Sequence, residues 1–122
     1  MAESFGAGQI TRAIRENAGP AVCAYVTAGY PTLEGFPSVL ESVARSADVV
    51  EIGVPFTDPM ADGLTIQQAS HVALANGVTL EWIFELLSVT DLGAPYLLMG
   101  YYNPFLAFGL ERLGPAMTGS GT

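Results

Sequence analysis

The stretch from Val49 to Gly63, VVEIGVPFTDPMADG, decides how the rest of the chain is interpreted. It opens with β-branched residues, which favour an extended strand, and a glycine and a proline then end the strand and open a loop. Glu51 lies within the strand, where the pattern expects an apolar residue, and Asp62 lies in the loop. The segment therefore predicts a strand that carries one acid, followed by a turn-rich acidic loop.

Apolar segments on either side of this stretch alternate between strand and helix patterns. Such alternation favours a parallel sheet covered by helices, either an open doubly wound sheet or a barrel. We find no strand pattern after Tyr101, and a closed eight-stranded barrel needs about 250 residues, more than this chain has. The predicted strands are 21–26, 48–54 and 95–101, and a leading helix is predicted at 9–16. Three further helices are predicted: one begins near Thr32 or Phe36, one begins at Thr65 with Gln68 completing a capping box, and one begins after Thr79.

Composition limits the class of protein. Half of the 122 residues are hydrophobic, enough for the packed core of one domain. Twelve acids against four scattered bases give a net charge of -8, which argues against binding to nucleic acid or to an anionic membrane. The uncharged stretch 92–110 contains several glycines and prolines, so a buried strand and a loop explain it better than a membrane span.

Cys23 is the only cysteine, which excludes an internal disulfide and a multi-cysteine metal site. We therefore expect a reducing, cytoplasmic setting, and the amino-terminal segment does not resemble a secretory signal. Because Cys23 lies in an apolar run, we expect it to be a small core residue rather than a nucleophile. His71 has no companion ligands, so no metal site is predicted.

Glu51 has a functional and a structural interpretation. Alternation along the strand places Val49 and Glu51 on one face, near the carboxyl end, where α/β enzymes carry their active sites. A carboxyl group there suits proton transfer, whereas the alternative is a solvated edge residue or one half of a structural ion pair. The aromatic rings of Tyr25 and Tyr101 either pack in the core or clamp a planar apolar ligand such as an indole. Glycine-rich dinucleotide and phosphate-loop motifs are not found.

The segment EIGVPFTDPMADG closely resembles the signature of the tryptophan synthase alpha chain family. The resemblance continues through AYVTAGYP at 24–31, TIQQASHVALANGVT at 65–79 and LLMGYYNPFLAFG at 97–109, and so covers about residues 20–113. It implies an α/β fold, the amino-terminal part of a (β/α)8 TIM barrel, with about three βα units that this chain alone does not close. It also implies a lyase of tryptophan biosynthesis that cleaves indole-3-glycerol phosphate to indole and glyceraldehyde 3-phosphate by a retro-aldol step, without cofactor or metal.

The same resemblance implies roles for individual residues. Glu51 would be the general acid and base, and Asp62 would hydrogen-bond the indole N–H and stabilise the developing charge. The implied substrate-binding residues are Tyr25, Thr27, Met99 and Tyr101, and the implied contacts with the tryptophan synthase beta chain are Pro55, Asp58, Asn103 and Pro104.

The carboxyl-terminal part of the chain departs from the family pattern. We expect a partial barrel domain at 1–113 and a flexible tail at 114–122, because GPAMTGSGT no longer resembles the family's next helix. The family's phosphate-binding loops lie in its second half, so the resemblance implies a truncated or fragmentary product. The alternative to a lyase is an inactive fragment that serves at most as an interaction module for a beta chain or a complementary half-barrel.

Overall fold

A computed structural model describes residues 7–121, and within that range the chain builds one three-stranded parallel sheet flanked by helices. The strands are β1 (Cys23–Thr27), β2 (Val49–Gly53) and β3 (Tyr96–Met99), and β2 lies between the other two. Residues 1–6 of the predicted barrel segment and residue 122 of the predicted tail lie outside the described residues. The helices are α1 (Ala7–Arg15), α2 (Phe36–Ser46), α3 (Leu64–Ala75), α4 (Leu80–Ser88), α5 (Tyr102–Phe108) and α6 (Leu110–Ser120).

One face of the central strand supplies the hydrophobic core. Val50 and Ile52 of β2 are fully buried, and they belong to one cluster with Leu40 of α2 and Ile83 of α4. Side chains alternate along a strand, so this packing turns Glu51 toward the opposite face of the sheet. The two faces predicted from the sequence are therefore the ones that the structure shows.

Local sequence predicts the start of α4 and the end of α3 correctly, but not the start of α3. Thr79 precedes α4 and its Oγ1 accepts a hydrogen bond from the Trp82 N–H at 3.0 Å, as predicted. The pair Asn76-Gly77 predicts the end of α3 from the sequence, and the helix does end at Ala75: Gly77 has a φ of +95°, a conformation that glycine adopts at little cost. The Thr65–Gln68 capping box is wrong: α3 begins one residue earlier, at Leu64, and an extended Gly63 is the cap.

The segment after β3 differs most from expectation. The sequence predicted a loop and then a flexible tail, whereas residues 102–108 and 110–120 form helices. Leu113, Ala116 and Met117 pack against the core, and their i, i+3, i+4 spacing is that of one helix face. This burial outweighs the helix-breaking preference of Pro115, which lies inside α6. The domain boundary after residue 113 stays a prediction.

Candidate active site

The carboxyl ends of the three strands lie side by side and place two of the predicted substrate-binding residues. In the sheet register, Thr27 of β1 pairs with Gly53 of β2, and Gly53 pairs with Met99 of β3. Thr27 is buried, while Met99 is exposed. These three residues therefore lie side by side at the carboxyl ends of the strands, which is where parallel α/β folds bind ligands.

Glu51 lies two residues before this end of β2, on the face opposite Val50 and Ile52. It pairs with Tyr25 on one side and with Leu97 on the other, and it is half-buried. Its Oε2 accepts a hydrogen bond from the Cys23 Sγ at 3.3 Å. The expectation that Cys23 is a core residue is wrong: Cys23 is exposed, and it lies on the same face of the sheet as Glu51.

Tyr25 connects the strand face with the acidic loop. Its phenol lies against Gly53 so closely that a Cβ added to this glycine would be 2.0 Å from the Tyr25 Oη. Burial raises the pKa of Tyr25, and the negative charges of Asp62 and Glu51 raise it further, while a hydrogen bond with the Thr27 side chain acts in the opposite direction. The negative charges of both predicted catalytic acids therefore contribute to the raised pKa of the same tyrosine.

Asp62 lies in the wall of a cavity of about 240 Å³ at this end of the sheet. The cavity brings together one predicted catalytic residue and three of the four predicted substrate-binding residues. Its lining consists of Tyr25, Val54, Ala61, Asp62, Met99, Gly100 and Tyr101.

Two side chains hold the loop that carries Asp62. The Tyr101 Oη accepts a hydrogen bond from the Ala61 N–H at 2.7 Å. The Gln67 Nε2 donates to the Asp62 carbonyl at 2.9 Å and to the Pro59 carbonyl at 3.2 Å. Sequence reasoning missed Gln67, and its position four residues after Gly63, on the first turn of a helix that follows a turn-rich loop, is the signal that could have found it.

The four predicted partner contacts do not form one cluster. Pro55 and Pro104 line a separate cavity of about 250 Å³, beside the amino-terminal end of α4. Asp58 and Asn103 are exposed. Pro55 is buried and Pro104 is half-buried, so only Asp58 and Asn103 are exposed to a partner, and none of the four lines the cavity that holds Asp62.

A larger cavity lies at the other end of the sheet. It measures about 650 Å³ and lies between α1 and the segment that leads into β3, at the amino-terminal ends of the strands. Arg12, Glu16 and Asp91 are among its lining residues. Of the two predicted catalytic acids, Asp62 lines the smaller cavity instead, and Glu51 is among the lining residues of neither.

Within residues 7–121, no group of three or more histidine, cysteine, aspartate or glutamate side chains could hold a metal ion. In the same described part of the chain, no helix has the length and apolar character to cross a membrane. The cytoplasmic setting expected from the single cysteine stays a prediction.

Comparison with known proteins gives consistent matches. The family model described as "Tryptophan synthase alpha chain" matches residues 11–121, which extends past Leu113, where the resemblance read from the sequence ended. Tryptophan synthase alpha chains from Nitratidesulfovibrio vulgaris and Roseiflexus sp. are 48% identical over 114 residues and 47% identical over 105 residues, respectively. These alignments cover 88% and 83% of this chain, and 44% and 40% of the relatives. The chain thus spans less than half the length of the curated relatives it matches.

A solved structure agrees with this match. Tryptophan synthase subunit alpha from Legionella pneumophila superposes with a TM-score of 0.85 at 32% identity, over 93% of this chain and 46% of that chain. The fold prediction is confirmed: the three parallel strands and their helices are the amino-terminal part of a (β/α)8 barrel, and they do not close it.

Proposed function

The chain belongs to the tryptophan synthase alpha chain family, and on that premise we propose that it supplies the proton-transfer residues of a lyase that cleaves indole-3-glycerol phosphate. The products are indole and glyceraldehyde 3-phosphate. The observation that carries the proposal is the position of Tyr25 at the carboxyl end of the strands: it pairs with Glu51 in the sheet register and lines one cavity with Asp62.

Glu51 is proposed as the acid and base of the retro-aldol step. Its carboxylate takes the proton from the hydroxyl on the glycerol carbon attached to indole C3, as the bond between these two carbons breaks. The hydroxyl carbon becomes the aldehyde of glyceraldehyde 3-phosphate, and the bonding electrons return to the ring. Indole C3 must first gain a proton, which Glu51 helps to deliver, so no net proton is consumed.

Asp62 is proposed to bind the ring nitrogen. When C3 is protonated, positive charge develops at the indole N–H, and a carboxylate held within hydrogen-bond reach stabilises that charge. The loop contacts from Tyr101 and Gln67 support this role, because they fix the backbone on both sides of the Asp62 side chain.

The cavity suits a small aromatic ring better than a large ligand. Its volume of about 240 Å³ falls below the range of roughly 300–1,000 Å³ typical of sites for drug-sized molecules. Tyr25 and Tyr101 present rings to it and Met99 presents a polarisable thioether, which is the lining that a planar bicyclic ligand requires. Thr27 is proposed as a neighbouring contact, through the Tyr25 phenol.

A second candidate is a non-catalytic interaction module. In the sheet order β1-β2-β3, the first and third strands are edges, and unpaired strand edges can pair with another polypeptide. The partner would be a complementary half-barrel, or a tryptophan synthase beta chain that contacts Pro55, Asp58, Asn103 and Pro104.

One experiment separates the two candidates. Purified chain is mixed with the carboxyl-terminal portion of the Nitratidesulfovibrio vulgaris relative that the alignment leaves uncovered, and indole release from indole-3-glycerol phosphate is measured. The lyase proposal predicts release by the mixture, and loss of that release when Asp62→Asn is introduced. A stable complex of the two polypeptides that releases no indole would favour the interaction module.

A further inference from the structure

We propose that Cys23 is a positioning residue for Glu51: its thiol donates a hydrogen bond to Oε2 and holds the carboxylate in one orientation. The inference deepens the proposed function and rests on it, because it assigns to Cys23 an effect on the proposed acid and base. Neither the family resemblance nor the sequence pattern pointed to this contact.

The register of the sheet places the two side chains beside each other. Cys23 pairs with Val49, and Tyr25 pairs with Glu51, so Cys23 and Glu51 lie two positions apart on adjacent strands and on the same face. Diagonal neighbours of this kind are within reach of a long side chain. The observed separation of Sγ and Oε2 is 3.3 Å.

The electrostatic surroundings keep the thiol in the donor form. Local desolvation raises the pKa of Cys23, and the hydrogen bond and the negative charge of Glu51 raise it further. Glu51 is the charged group that faces the thiol from β2, and Tyr25, which pairs with Glu51, lies further along the same face of β1. A thiol that stays protonated at neutral pH donates a hydrogen bond to the carboxylate, whereas a thiolate would repel the carboxylate.

The hydrogen bond from Cys23 gives the two carboxylate oxygens of Glu51 different roles. Oε2 is occupied by the thiol, which directs the side chain toward β1 and assigns proton exchange with the substrate to Oε1. Cys23 is fixed by its own strand, so its hydrogen bond restricts the rotation of the Glu51 carboxylate. Such restriction of a reacting group to one geometry contributes to catalysis.

The contact itself is tested by thiol chemistry, which does not depend on enzymatic activity. Cys23 is the only cysteine in the chain, so alkylation by iodoacetamide reports on this thiol alone. In that reaction the thiolate sulfur attacks the methylene carbon, a C–S bond forms and iodide leaves, so the rate follows the thiolate fraction.

We expect Glu51→Gln to shift the pH dependence of alkylation to lower pH, and to raise the rate at neutral pH by roughly threefold or more, since the facing charge is gone. Glu41→Gln, an exposed glutamate on α2, is the matched control and should leave the rate unchanged. Glu51→Ala, which also removes the acceptor, should shift the rate in the same direction. Identical rates for the original chain and both Glu51 variants would overturn the proposal.

The effect on catalysis is tested in the mixture that releases indole. Cys23→Ala should lower kcat on the order of threefold to tenfold, as expected for one hydrogen bond, with little change in KM. Cys23→Ser keeps a donor and should recover most of kcat, which a loss of packing alone would not explain. An unchanged kcat in Cys23→Ala would refute the positioning role. Failure of every version to release indole would instead refute the proposed function, and the alkylation rates would still decide whether the contact exists.

Discussion

Gly53→Ala is the substitution for which the structure makes the sharpest prediction. The added Cβ would lie 2.0 Å from the Oη, 2.4 Å from the Cζ and 2.7 Å from the Cε2 of Tyr25. Ordinary contacts between such atoms are about 3.5 Å, so the phenol must move by roughly 1.5 Å or the strand must shift. Overpacking of this kind typically costs about 1–3 kcal/mol.

The free energy of unfolding is measured by urea titration, followed by circular dichroism. With a denaturant slope of about 1–3 kcal/mol per molar, the Gly53→Ala midpoint should fall by roughly 1 M. In a Tyr25→Ala background the same substitution should cost much less, because the clashing ring is gone and the two effects are coupled.

Gly114→Ala is the matched control. No atom lies within 4 Å of the Cβ that would be added at Gly114, which is inside α6. Alanine there should be neutral or stabilise the helix by up to about 1 kcal/mol. Equal losses for Gly53→Ala with and without the Tyr25 ring would refute the contact as the cause.

Three further predictions concern the helix cap, the tyrosine and the loop anchor. Thr79→Ala removes the acceptor for the Trp82 N–H and should lower the free energy of unfolding, measured by urea titration, by about 1 kcal/mol. Thr79→Ser keeps a hydroxyl acceptor and should retain most of that stability. The pKa of Tyr25 is raised on folding, so its contribution to stability is present below its ordinary value of 10.0 and is lost as the pH rises through the higher folded value. Tyr25→Phe should therefore lose less stability than the original chain between pH 9 and pH 12, and an equal loss in both would contradict this assignment. Gln67→Leu removes two hydrogen bonds to loop carbonyls and should speed amide hydrogen exchange in residues 60–62, while exchange in β2 stays slow.

Much of the sheet and its helices could be predicted from local sequence. The cluster of β-branched residues identified the strand around Glu51, and Thr79 and Gly77 marked helix ends, because each of these signals acts within a few residues. Helix α6 could not be predicted in this way. Its glycines and proline disfavour a helix locally, and the packing of Leu113 and Met117 against the core that opposes them is tertiary.

The site was predictable only in part, for a related reason. The family motif names Glu51 and Asp62, but the contact between Cys23 and Glu51 depends on the register of two strands that are separated by a helix. Period-two alternation shows which face each residue occupies and leaves the register open. The side chains of Tyr101 and Gln67, which hold the loop that carries Asp62, likewise form hydrogen bonds with backbone atoms. A sequence pattern of paired side chains therefore does not predict these contacts.

The central claim is that Glu51 transfers the proton in indole release. It is tested most directly in a chimera in which residues 11–121 of this chain replace the matching segment of the Nitratidesulfovibrio vulgaris tryptophan synthase alpha chain. The chimera should release indole from indole-3-glycerol phosphate, Glu51→Gln should lower kcat by roughly 10²–10⁴-fold, and Glu41→Gln should not change it. Turnover by the Glu51→Gln chimera at the rate of the unsubstituted chimera would contradict the claim.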